Sequence, residues 1–136
     1  MVLKDNNSCS LYLENLTFDR IEFNRFGLKN TNNLTFSFNS SVGKKENQEK
    51  YKVTLSIKGI KKDEYSFEIS LTGMFSFVEG NNITDELKKH IITKNTLAIL
   101  MPYLRSEVSL LTSQPGVDCV VLPPFNINNY LTTETK

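Results

Sequence analysis

The sequence predicts an α+β domain: one four-stranded antiparallel sheet with helices packed on a single face. Two observations carry this. Four segments before residue 78 alternate apolar and polar side chains with period two, the mark of half-buried strands. After residue 84 the spacing becomes that of an amphipathic helix. Strands first and helices after is the order of an α+β chain, and 136 residues leave room for one such domain.

The first strand runs from about Leu11 to Asn24. Its apolar parity changes twice, from Leu11 and Leu13 to Leu16 and Phe18, then to Ile21 and Phe23, which predicts bulges or bends. A short second strand carries Leu34, Phe36 and Phe38. The third sets Tyr51, Val53, Leu55 and Ile57 against intervening lysines, threonine and serine. The fourth sets Tyr65, Phe67, Ile69 and Leu71 against Glu64, Ser66, Glu68 and Ser70, and continues past Gly73 to Phe75 and Phe77. Gly59 with Lys61, Lys62 and Asp63 predicts the turn before it. Short connections favour an antiparallel meander. Thr84 is an N-cap, followed by Asp85 and Glu86 where the helix dipole favours negative charge. This predicts a short helix to about Ile92. A second helix follows Asn95, with Leu97, Leu100, Met101, Leu104, Val108 and Leu111 on one stripe. Pro102 predicts a kink or restart near residue 98. Gln114-Pro115-Gly116 ends it, and residues 126–131 suit a last helical turn. Ile99, Tyr103 and Leu110 lie off the stripe, so the helix carries apolar surface beyond one core's need. That surplus reads equally as ordinary exposure or as an interface and groove.

Sixteen Lys and Arg against fifteen Asp and Glu leave a net charge of +1, which argues against a dedicated nucleic-acid binder. The lysine-rich stretch 44–64 is diluted by Glu46, Glu49, Asp63 and Glu64 and reads as a solvated hairpin. No run approaches the roughly 20 apolar residues of a membrane span, and no signal-peptide pattern opens the chain. Cys9 and Cys119 stand far apart without a CxxC spacing, and reduced thiols are expected. These readings point to the cytoplasm. No catalytic set converges. His90 is a lone histidine on a lysine-rich helix, no metal-ligand spacing occurs, and no phosphate loop is present. The expectation is a non-enzyme without metal or cofactor.

The C-terminal third is the most specific part. Met101-Pro102-Tyr103-Leu104-Arg105 in a helix, a Gly-containing break, then Leu122-Pro123-Pro124-Phe125-Asn126 resembles the SecB family of export chaperones. Ser66 to Phe75, ending Gly-Met-Phe, and Arg20-Ile21-Glu22-Phe23 resemble that family's strands in the same order. The similarity spans residues 11–131, read as a single domain between a flexible N-terminus (1–10) and a flexible tail (132–136). The resemblance implies a crossover between the first two strands and a homotetramer, a dimer of dimers. It implies an ATP-independent holdase that binds unfolded polypeptides, for export or for a specialised client such as an antitoxin. By resemblance, the client groove falls on Phe26, Leu28, Leu34 and Phe36 from the crossover, with Tyr103, Leu110 and Phe125 opposite. The positions tied to assembly are Phe67, Ile69 and Leu71. Family members hand clients to the ATPase SecA through an acidic face. Here Glu68 survives as the candidate SecA contact, but Arg20 and Asn24 replace two carboxylates, which weakens that docking. Two rival readings are a carrier of small hydrophobic ligands and a non-catalytic assembly protein.

Overall fold

The computed structural model describes residues 2–4, 10–44, 50–77 and 84–124. Its elements are β1 (Val2–Lys4), β2 (Ser10–Arg25), β3 (Leu34–Lys44), β4 (Lys50–Lys61), β5 (Tyr65–Phe77) and α1 (Asp85–Thr112). All strands join one antiparallel sheet in the order β1-β2-β5-β4-β3. The four long strands lie where the alternation marks them, but β3, expected to be short, runs on past Phe38 to Lys44. β1 is a correction: part of the stretch expected to be flexible forms a short edge strand, with Leu3 opposite Leu11. Three residues are too few for alternation to register. The connectivity is also not a simple meander. β3, β4 and β5 follow one another, but β2 and β3 lie on opposite sides of the β4–β5 pair. Residues 26–33 therefore cross the end of the sheet, as the family resemblance implies.

The parity changes in the first strand have a structural meaning. β2 shifts register against β5 between Leu13 and Asn15 and again between Phe18 and Arg20. Each shift returns the apolar residues to one face, so that Leu13, Phe18, Ile21 and Phe23 lie opposite Phe75, Leu71, Ile69 and Phe67. The turn into β5 is shifted from its expected place: it occupies residues 62–64, with Asp63 in the left-handed region at φ 63°. Gly59 belongs to β4 instead. A Cβ there would stand 2.3 Å from the Phe67 ring, so the glycine makes room for an aromatic side chain.

One continuous helix replaces the two expected. Thr84 caps it, its hydroxyl accepting from the Leu87 N–H at 3.2 Å. The polar stretch Thr93-Lys94-Asn95-Thr96 stays helical, the Thr93 hydroxyl donating to the Lys89 carbonyl and that of buried Thr96 to the Ile92 carbonyl. Nor does the helix restart near residue 98. Pro102 and Ala98 both face solvent, where water can serve the carbonyl that proline leaves without a donor. Below, α1 lies over β4 and β5. Val53, Leu55, Ile57, Ile69, Leu71, Leu100, Leu104 and Val108 are fully buried between sheet and helix. Each such side chain contributes about 1.5–3 kcal/mol by leaving water.

Candidate functional site

A helix lying over β4 and β5 leaves the apolar face of the flanking strands β2 and β3 partly uncovered. Ile21 on β2 and Phe36 and Val42 on β3 share the helix-facing side of the sheet, yet all three are exposed. Phe36 meets Phe38 edge-to-face, with ring centroids 5.6 Å apart. Tyr103 and Leu110 stand seven residues, two turns, apart on one flank of α1 and are also exposed. Ile99, on the same side of the stripe, is buried. The crossover adds two more exposed apolar groups, Phe26 at 59% and Leu28 at 86%. Leu34 is half-buried at the start of β3.

The crossover is tied down on both sides. Toward the sheet, the Phe26 and Gly27 N–H groups donate to the Glu64 carbonyl at 3.0 and 3.1 Å. Glu64 is fully buried, and its Oε1 accepts from the Asn30 N–H at 2.8 Å and from Lys61 Nζ at 2.8 Å. Lys61 Nζ also donates to the Asn30 carbonyl at 2.9 Å. The Asn30 and Asn32 side-chain amides both donate to the Lys62 carbonyl. The approach is close enough that a Cβ on Gly27 would fall 1.8 Å from the Asp63 carbonyl oxygen. Lys61 holds the Glu64 carboxyl below its ordinary pKa against the opposing pull of burial, with the Asn30 amide reinforcing it.

Toward the segment after the helix, Arg25 Nη1 donates to the Gly116 carbonyl at 3.0 Å and Lys29 Nζ lies 2.7 Å from Asp118 Oδ1. That hydrogen bond lowers the Asp118 pKa and raises the Lys29 pKa. The segment is itself fastened to the helix. Val120 accepts from the Ser109 hydroxyl and donates its N–H to Thr112 Oγ1, both at 2.8 Å. Leu122 is buried and Val121 exposed. The arm, the helix C-terminus and the returning chain thus form one connected border to the exposed apolar groups.

Several residues stand elsewhere than expected. Phe67, Ile69 and Leu71 are at most 3% exposed, in the protomer core. Alternation marks a residue as facing an apolar layer, and here that layer is α1. Phe125 lies outside the described residues, as does the helical turn expected at 126–131. Glu68 is on the polar face of the sheet, held between Arg20 Nη1 at 2.9 Å and Lys58 Nζ at 3.5 Å. The Arg20 hydrogen bond lowers its pKa, so the carboxylate is ionised but already matched. Ile21, Val42 and Val121 were missed as candidates. The first two were legible as apolar positions on strands that flank the central β4–β5 pair. Cys119 is an exposed free thiol. Among the described residues no group of metal-binding side chains occurs and no helix is long and apolar enough to cross a membrane.

Comparison with known proteins adds to this geometry. The family model for SecB, preprotein translocase subunit SecB, matches residues 7–135. The chain belongs to the SecB family. The match reaches past the expected 11–131 at both ends. Among solved structures, the SecB-like chaperone Rv1957 of Mycobacterium tuberculosis, in complex with a ChAD peptide from the HigA1 antitoxin, is similar at TM-score 0.69. Identity is 14%, over 83% of this chain and 86% of that one, so the likeness shows a shared SecB fold. A protein of unknown function from Streptococcus agalactiae matches at TM-score 0.44 and 13% identity, over 85% of this chain and 98% of that one. No curated protein sequence matches the chain.

Proposed function

We propose that this chain is an ATP-independent holdase that captures unfolded polypeptides on the apolar surface bordered by the crossover arm. Membership of the SecB family supports a chaperone role. The observation that carries the finer reading is the exposure of Phe26, Leu28, Phe36, Tyr103 and Leu110. Apolar contact is non-directional, and such a surface accepts many sequences. The working assembly is a homotetramer in the cytoplasm. Specialised clients such as an antitoxin fit better than bulk export, because Glu68, the surviving carboxylate of the acidic face, is matched by Arg20 and Lys58 and offers little free charge to SecA. A small-ligand carrier fits less well: the space between sheet and helix is filled by fully buried side chains. The test is suppression of aggregation of a chemically unfolded protein without nucleotide. Full aggregation in the presence of excess chain would sink the holdase reading.

A further inference from the structure

We propose that Glu64 is the positioning residue of the crossover arm, fixing the pose in which Phe26 and Leu28 are presented. The inference rests on the reading of the arm as client-facing. Glu64 belongs to a tight turn, yet its side chain is fully buried beneath a segment that lies 34 residues earlier in the chain. Burying a carboxylate is costly, and the second oxygen, Oε2, has no partner among the described residues. A turn has no need of such a group. What the carboxylate does is tie three things at one point: the Asn30 amide, the Lys61 ammonium and, through Lys61, the Asn30 carbonyl. The Asn30 side chain then reaches Lys62. With its end fixed at Asn30, the arm has only Phe26 to Lys29 in which to bow outward. The main-chain bonds from Phe26 and Gly27 to the Glu64 carbonyl close the other end. Leu28 is left at the crest, which accounts for its exposure.

Amide hydrogen exchange on the full chain tests this. The Phe26 and Gly27 N–H groups bond to a main-chain oxygen that substitution at Glu64 leaves in place. Their exchange therefore reports the pose of the arm and not the loss of a direct partner. In Glu64→Ala we expect both to exchange at least about tenfold faster, since hydrogen bonds to a charged group carry that much, while Leu55 and Ile57 keep their rates. Should that variant fail to fold because Lys61 is orphaned, Lys61→Met with Glu64→Leu removes both charges and keeps the apolar volume. Unchanged protection at Phe26 and Gly27 in the folded variant would overturn the proposal. Capture of reduced, carboxymethylated α-lactalbumin should weaken several-fold in the same variant, and a released arm with undiminished capture would also overturn it. If the unmutated chain captures none of this probe, the holdase reading fails, and the exchange comparison still decides whether Glu64 poses the arm.

Discussion

Asn30, Lys61 and Glu64 are ordinary polar residues until the fold brings them to one point. Their partnership was not legible, because sequence patterns report periodicity and turn chemistry, not contacts across 31 to 34 positions. The pKa directions of Glu64 and Asp118 give a prediction. The folded-state pKa of Glu64 lies below its ordinary value, chiefly through Lys61, and that of Asp118 below its own through Lys29. A depressed carboxyl contributes stability above its unfolded pKa and loses it as pH falls through the lower folded one. Protection of the Phe26 and Asn30 amides should therefore be full above the ordinary carboxylate range, begin to decline as pH falls through it, and be lost below the lower folded-state pKa. Exchange followed during acid titration checks this. Gly27 gives a second test. Its missing Cβ is required by a backbone oxygen that cannot swing away, so Gly27→Ala should lower stability by about 1–3 kcal/mol in urea unfolding.

At the scale of elements, strands were far more legible than helices or contacts. Alternation located β2, β3, β4 and β5 and even the two bulges, because the step from one face to the other resets wherever an extra residue is inserted. The helix was misread as two because threonine, lysine and asparagine at 93–96 look like a break. The structure turns the two threonine hydroxyls back onto helix carbonyls and keeps the run continuous. Parity likewise tells that Phe67, Ile69 and Leu71 face something apolar, not what that is; in the protomer they are buried in the core. Burial in that core predicts the response to truncation. Leu104→Ala, in a fully buried position of α1, should cost about 2–5 kcal/mol, read by denaturant unfolding. Leu28→Asp, at an exposed crest, should leave stability within about 0.5 kcal/mol and weaken capture of an unfolded chain.

For the molecule as a whole, the near-zero charge balance and the exposed apolar groups are what the proposed capture of unfolded chains rests on. Arg20 and Lys58 close around Glu68, so that carboxylate is already matched. The apolar surface by contrast is divided among the arm, strands β2 and β3, the helix flank and the returning segment, elements that meet only in the folded chain. Alternation marked Leu34 and Phe36 as apolar, but the resemblance supplied their groove role and that of Phe26, Leu28, Tyr103 and Leu110. What makes them a surface is the position of α1 over β4 and β5 and the knot at Glu64, which no run of residues announces. The central claim is that this surface binds unfolded polypeptide within an oligomer. Light scattering with and without reduced, carboxymethylated α-lactalbumin tests it most directly. The account predicts the mass of four chains alone and a heavier complex when the unfolded polypeptide is added. A single-chain mass that the unfolded polypeptide does not change would contradict it.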